Sequence, residues 1–356
     1  MEVISNQIKL LQIASRTTGH DQPCFIAAEI GLNHNGDMDL ARRSIDAAAA
    51  SGANGVKFQN YATSDFLLTD KLTYTYWNNG REITESQWKI FERCELTDAQ
   101  LKELKQHCDR VGVVFFSTPT SEAGVRALEN LDCALIKNGS DYLTNLDLIR
   151  CMAATGKLTV LSTGMATVAE IEDAVSAFRL AGGQHLILLH CTSSYPTPPD
   201  EINLKRIPVL ATTFSCPSGF SDHSEGSVAA VGARVLGACF IEKHFTLDKN
   251  LPGPDHRFSA DPMQFREMVN AVRAIELAMG SSQLGPTTSE AQGRISFRLS
   301  CLSAENLAAG TPLQSRHIVY RRPGTGIPPS HSDALLGRLL KRAVSRGHVF
   351  TWDDLE

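Results

Sequence analysis

Two histidines, two lysines and a glutamate carry the chemistry that this sequence is built to do. His223 and His244 lie 21 residues apart, each closing a short apolar run (TFSCPSGFSDH, 213–223; CFIEKHFT, 239–246). Adjacent strands of a sheet stand about 4.8 Å apart, so imidazoles at neighbouring strand ends can reach one ion. Two imidazoles leave most of an octahedral sphere to water and substrate oxygens, which suits Mn²⁺, with Mg²⁺ or Co²⁺ as alternatives. The flanking Asp222 and Glu242 favour a metal site over plain structural histidines. Lys57 and Lys137 end two further runs, GVKFQNY (55–61) and CALIKNGS (133–140). A bare pair of ammonium groups repels; a bound phosphate relieves the repulsion, with Thr118, Ser140, Ser162 and Ser221 as further donors. Two other readings stay open: a Schiff-base lysine of depressed pKa, or an ion pair with Glu29 or Asp141. Glu29, facing two lysines and a cation, is expected to stay ionised and to bind hydroxyls or water.

These residues need a scaffold, and the apolar pattern supplies one. Eight runs recur along 24–246, at 24–33, 55–61, 113–119, 133–140, 157–165, 185–193, 213–223 and 239–246, most of them separated by helix-like stretches. Alternating strand and helix implies parallel strands with helical crossovers. Eight such units predict a closed (β/α)₈ TIM barrel, with its chemistry at the C-terminal strand ends, where the residues above stand. Capping boxes at Thr97/Gln100 and Thr167/Glu170 start two helices. The first puts Leu101, Leu104, Cys108 and Val111 on one face before Gly112, and Asp261-Pro262 opens another that stops near Gly280. His34 is read as a loop-shaping residue, and His190 as a candidate core histidine. The segment 62–96, with TYTYWNNGREITESQW, interrupts the rhythm; a long insertion after a barrel strand is expected to belong to the site.

Composition narrows the class. The net charge of −5 and pI near 6.1 argue against a nucleic-acid partner. The nine cysteines form no CxxC pair, and Cys24, Cys133, Cys191, Cys216 and Cys239 fall within the predicted strands, as buried thiols of a reducing compartment would. No run approaches the roughly 20 apolar residues of a membrane span, and the start shows no signal-peptide pattern, so a soluble cytoplasmic protein is expected. The barrel is assigned to 1–280, a small polar linker to 281–293, and a second unit to 294–356. That unit carries a net charge of +4 against −9 for the rest, so the two parts attract one another within or between chains. Its RRPGTGIPP (321–329) presents arginines on a rigid turn, fit for a polar ligand or simply solvated.

The motifs IAAEIGLNHNG, GVKFQ, FFSTP, LSTGMAT, LLHCTSSYPTP, GFSDHS, IEKHFTLD, PGPDH and RRPGTGI stand in order from about Phe25 to Trp352. On them the chain resembles the sialic acid synthase family, which includes the N-acetylneuraminate, legionaminic and pseudaminic acid synthases. The resemblance implies a metal-dependent barrel followed by a small antifreeze-like (SAF, β-clip) domain. It also implies a homodimer in which each tail caps the partner's barrel. The implied reaction condenses phosphoenolpyruvate with an N-acetylated mannosamine-type aldehyde, or a 2,4-diacetamido-6-deoxyhexose, and releases phosphate. Carried over by position, His223 and His244 are implied metal ligands. Lys57, Thr118, Lys137, Ser140, Ser162 and Ser221 are implied phosphoenolpyruvate contacts. Glu29, Gln59, Tyr195 and Asp255 are implied acceptor contacts, and Arg322 reaches from the partner's tail. Two positions depart from the family: Tyr142 stands where a carboxylate is usual, with Asp141 one place earlier, and Ser193 stands where the neuraminate enzymes often have Asn.

Overall fold

The computed structural model of the chain describes residues 10–19, 21–78 and 81–356, so most of the first ten residues and positions 79 and 80 of the insertion lie outside the described residues. The chain divides into two compact units, 1–280 and 281–356.

In the first unit, a short antiparallel pair, β1 (Leu11–Ile13) and β2 (Arg16–Thr18), precedes the barrel. The barrel strands are β3 (Phe25–Glu29), β4 (Gly55–Asn60), β7 (Val114–Pro119), β8 (Leu135–Asn138), β9 (Leu158–Ser162), β10 (Leu186–His190), β11 (Ser218–Asp222) and β12 (Phe240–His244). They pair in parallel in the order β7-β4-β3-β12-β11-β10-β9-β8, and β7 lies against β8 to bring the ends of the sheet together. An antiparallel pair, β5 (Thr73–Asn78) and β6 (Arg81–Ser86), occupies the insertion between β4 and β7. The eight expected strands are all present, each shorter than its apolar run. Nearly every barrel-strand residue is buried, because helices cover the outside and side chains fill the inside. The five strand-assigned cysteines are buried free thiols, but each sits one or two residues outside its strand, where apolar runs continue past the last ladder hydrogen bond.

Alternation along the strands sorts the interior into layers. Phe25, Ala27, Phe116, Leu135, Val160, Ile187, Leu189 and Phe240 fill the lower barrel, with Leu11 and Ile13 of the amino-terminal pair packed in the same cluster. Phe25 stacks on Phe240 at 5.0 Å, and Gly55 makes room for it: a Cβ there would stand 2.8 Å from Phe25 Cζ. One step further along the same faces the side chains turn polar, and that layer is the site.

Both predicted capping boxes form, as does a third at Asp261/Gln264 that starts Pro262–Met279. Leu101, Leu104 and Cys108 are buried as expected, whereas Val111, in the last turn before Gly112, is exposed; that turn has run past the barrel wall. Among the described residues, no helix is long and apolar enough to cross a membrane. The second unit has its own core of Cys301, Leu307, Leu313, Ile327, Leu340 and Phe350 around the antiparallel pair β13 (Ser300–Ser303) and β14 (Ile318–Arg321). Residues 281–293, read as a linker, belong to this unit and include a 3₁₀ turn, Thr288–Glu290, and the start of a helix, Ala291–Ser296.

Candidate active site

The C-terminal ends of the barrel strands surround a cavity of about 860 Å³. Lys57 and Gln59 on β4, Ser221 at the end of β11 with His223 just beyond it, and Glu242 and His244 on β12 are i, i+2 pairs, so each pair points inward together. The intervening Asp222 and Lys243 point outward and form a buried 2.7 Å ion pair that ties the ends of β11 and β12. Every site residue assigned from the sequence in the first unit lines this cavity: Glu29, Lys57, Gln59, Thr118, Lys137, Ser140, Ser162, Ser193, Tyr195, Ser221, His223, His244 and Asp255. Arg322 stands in the second unit, where its Nε donates to the Phe297 carbonyl at 3.1 Å and its guanidinium lies 5.1 Å over the Phe297 ring. His190 is a core residue, its Nε2 2.6 Å from the Ile202 carbonyl, and His34 shapes its loop by accepting from the Gly36 amide at 3.1 Å.

One end of the cavity is an anion cradle. Lys137 Nζ donates to Ser162 Oγ at 2.6 Å and to the Asn138 carbonyl at 2.8 Å. Lys57 Nζ donates to Thr118 Oγ1 at 3.1 Å and stands 3.1 Å from Glu29 Oε1 and 3.6 Å from Glu242 Oε1. The Glu29 ion pair of the structural reading is therefore present, and Glu242 is a second carboxylate on the same ammonium. Burial depresses the Lys137 pKa, Glu242 offsets only part of this and repulsion from Lys57 adds to it; burial acts on Lys57 likewise, but Glu242 and Glu29 outweigh it and hold that pKa above the usual value. An anion beside Lys137 removes this penalty. Ser140 Oγ accepts from the Gly164 amide at 3.1 Å; a Cβ on Gly164 would stand 2.7 Å from that oxygen, so only glycine allows the approach.

Beside the cradle stand the two imidazoles, ring centroids 5.7 Å apart. His223 Nδ1 lies 2.8 Å from the Thr192 carbonyl, which accepts only, so Nδ1 carries the proton and the Nε2 lone pair lies on the cavity side, 3.3 Å from Ser221 Oγ. His244 Nδ1 is buried without a hydrogen-bond partner, 3.9 Å from Asp255 Oδ2. Burial lowers both imidazole pKa values, His244 well below the ordinary value, which keeps the rings neutral, the state a metal requires. Two neutral imidazoles, His244 with an unpartnered nitrogen and His223 with an Nε2 that meets Ser221 Oγ at 3.3 Å, fit a divalent cation, with the remaining positions left to oxygens. The Tyr195 ring packs on His223 at 4.2 Å and fixes one side of the pair.

Glu29 departs from expectation. Its Oε1 accepts from Gln59 Nε2 at 3.2 Å, its Oε2 is a buried acceptor without a partner, and its pKa rises to about 7. Complete burial raises it, Glu242 adds to the rise, and Lys57 offsets only part. The charges that the sequence sets around this carboxylate compete with a desolvation that the sequence does not display. Glu242, which the sequence reading placed beside the histidines as a flanking carboxylate without a separate task, sits at the centre. Its Oε1 accepts from Ser221 Oγ at 3.1 Å, and its Oε2 has no partner. Burial acts to raise its pKa, but Lys137, Lys57 and His223 hold it below the usual value. Its spacing two residues before His244 was the available signal. Asp141 and Tyr142 also line the cavity, as does an aromatic group from the 62–96 segment.

Comparison with known proteins agrees with this geometry. Residues 44–284 match the NeuB family and residues 303–356 the SAF domain. The chain is 34% identical to the N,N'-diacetyllegionaminic acid synthase of Legionella pneumophila, over 95% of this chain and 96% of that protein. It is 33% identical to the pseudaminic acid synthase of Helicobacter pylori, over 94% and 98%. The crystal structure of the N-acetylneuraminic acid synthetase of Leptospira borgpetersenii, in complex with citrate, superposes with a TM-score of 0.72 at 32% identity, covering 80% of this chain and 95% of that one. With a strand-end cavity of this make-up and relatives matched over nearly its whole length, the chain belongs to the NeuB family, the family of the sialic, legionaminic and pseudaminic acid synthases.

Proposed function

We propose that this enzyme condenses phosphoenolpyruvate with the open-chain aldehyde of an N-acetylated hexosamine and water, giving a nonulosonic acid and free phosphate. The observation that carries the reading is the adjacency, in one cavity, of the Lys57/Lys137 cradle and two neutral imidazoles. Lys57 and Lys137, with Thr118, Ser140, Ser162 and Ser221, grip the phosphate and hold the enol carbon toward the aldehyde. His223 and His244 would hold a divalent cation, Mn²⁺ by preference, and such an ion would supply Lewis-acid polarisation of the aldehyde. Attack by the enol carbon leaves a cationic carbon next to the phosphate-bearing oxygen. Glu242 Oε2, buried and unpartnered, takes a proton from the water that adds there. As the tetrahedral intermediate collapses, the C–O bond to phosphate breaks, the new hydroxyl becomes the keto oxygen and its proton leaves with phosphate. The proton on Glu242 passes to the former aldehyde oxygen, and the cradle stabilises the departing charge without reorganising. Glu29, Gln59, Ser193, Tyr195 and Asp255 bind the acceptor. With Tyr142 at the usual carboxylate position, the base role falls to Glu242.

N-acetylmannosamine is the simplest acceptor. The near-complete coverage of the chain by legionaminic and pseudaminic acid synthases favours a second reading, a 2,4-diacetamido-6-deoxyhexose. We further propose a homodimer in which the tail, through Arg322, completes the partner's site; the opposite net charges of the two parts support it. Phosphate release from phosphoenolpyruvate, measured against a panel of amino-sugar aldehydes, tests the reaction. Release that needs an amino sugar and yields a nine-carbon keto acid is the expected result. A lysine adduct trapped by borohydride in an enzyme indifferent to chelators would instead assign a Schiff-base aldolase.

A further inference from the structure

The Asp222–Lys243 ion pair lies outside the cavity, one residue before each imidazole. The two face each other across the β11/β12 register, and His223 and His244 follow them in the chain. Lys243 Nζ donates to Asp222 Oδ2 at 2.7 Å and to the Ser224 carbonyl at 2.7 Å. Asp222 Oδ1 accepts from the Ser224 amide at 2.9 Å and from Ser224 Oγ at 2.6 Å. His223 thus sits inside a turn closed by the carboxylate of the residue before it, and the same carboxylate is bonded to the residue before His244. One side chain refers the two histidine backbones to each other.

The pair contrasts with its surroundings. The outward side chains beside Glu29, Lys57 and Ser162 are apolar: Ala28, Ile30, Val56, Phe58 and Leu161. Asp222 is 1% exposed and Lys243 4%, so both charges have given up their water. An apolar pair of similar volume commonly serves stability as well as a buried ion pair does. What the ion pair adds is direction, because its hydrogen bonds fix a register that apolar contacts leave loose. Register matters most between these two strands. Their imidazoles, ring centroids 5.7 Å apart, must meet one ion, and metal–ligand distances vary by only about 0.2 Å. The His223 ring is held by the Thr192 carbonyl, whereas His244 Nδ1 has no hydrogen-bond partner, so the placement of His244 depends on the strand that carries it.

Resting on the metal role proposed above, we propose that Asp222 and Lys243 are positioning residues that hold His223 and His244 at the spacing a shared divalent cation requires. Neither lines the cavity; both act through the backbones that carry the imidazoles. Without the cross-strand bond the two strand ends are free to shift against each other, and the rings no longer meet one ion at bonding distance. Partners of this kind behind a metal's ligands are worth about 10- to 100-fold in metal affinity.

The test is the Mn²⁺ Kd of the full chain, read by electron paramagnetic resonance of the free ion, with the phosphoenolpyruvate Kd in chelator measured alongside. The variant is Asp222→Asn/Lys243→Met, which keeps an acceptor for the Ser224 amide and leaves no buried charge but removes the cross-strand bond. Its Mn²⁺ Kd should rise by about tenfold or more, while its phosphoenolpyruvate Kd stays within about twofold, because the cradle stands on other strands. If the double variant does not fold, Asp222→Asn alone breaks the same bond, since its second side-chain atom becomes a donor facing the ammonium. An unchanged Mn²⁺ Kd in the folded variant overturns the inference and leaves the metal role standing. An equal loss of phosphoenolpyruvate affinity also overturns it, by showing a general disturbance of the barrel mouth. A wild-type enzyme that binds no Mn²⁺ overturns the metal role itself, and this inference with it.

Discussion

Lys137 shows how a single side chain in this site is poised. Fully buried and repelled by Lys57, with Glu242 offsetting only part of that cost, its charged form gains from an anion bound beside it. Lys137→Ala should raise the phosphoenolpyruvate KM and lower kcat together, because the charge acts in the ground state and on the departing phosphate. Steady-state kinetics check this, and unchanged constants would remove Lys137 from the cradle. The imidazole pair gives a second residue-scale prediction, from the orphaned His244 Nδ1 and the Nε2 lone pair of His223. His223→Ala and His244→Ala should each lower Mn²⁺ occupancy, read by elemental analysis after dialysis. Chelation should abolish condensation by the wild type, and added Mn²⁺, Co²⁺ or Mg²⁺ should restore it. Full activity of the double variant in chelator would sink the metal role.

At the scale of elements, the barrel strands do two jobs in sequence: apolar lower residues fill the core, and the next inward positions carry charge. The second unit, with little regular structure, relies instead on local polar fixtures. Asp354, fully buried, accepts from the Thr351 amide at 2.9 Å, Arg342 Nη2 at 2.7 Å and His348 Nε2 at 2.9 Å. Burial acts to raise its pKa, but His348, Thr351 and Arg342 overcome it and hold the carboxyl far below the usual range. A carboxyl whose folded-state pKa is depressed contributes stability that is present above its unfolded value and lost as pH falls through the folded one. The second unit should therefore weaken progressively below about pH 4, the ordinary carboxylate value. Asp354→Asn should cost on the order of 1–3 kcal/mol at neutral pH, the range for leaving buried donors poorly paired, and flatten the acid dependence. Hydrogen exchange in peptides from 339–356 of the full chain measures both effects. Exchange that is identical in the variant at neutral pH would show that the network contributes nothing.

The whole molecule joins an acidic barrel to a basic tail, −9 against +4, and the tail carries Arg322 on its turn. If the tail acts in trans, Arg322→Ala and His223→Ala chains, each inactive alone, should regain activity when mixed. A mixed dimer pairs one intact barrel with one intact tail, recovering up to about half of its sites. Lack of complementation in dimers shown to be mixed would refute the swapped arrangement.

The chain pattern alone determined the eight-stranded barrel, the helix starts at Thr97, Thr167 and Asp261, and the strand ends at which Lys57, Lys137, His223 and His244 stand. These depend on periodicity and capping chemistry, which are local and written in consecutive residues. Only the tertiary structure decided what depends on convergence. Glu242 became the hub because β11 and β4 bring Ser221 and Lys57 to it from distant parts of the chain. Glu29 took a raised pKa because closure of the barrel removed its water, a cost that no neighbouring charge in the sequence reveals. The 62–96 segment was legible as an insertion of the site. The aromatic packing it brings to the cavity was not, because it depends on Tyr61, Phe66 and Phe91 meeting edge-on from separate elements.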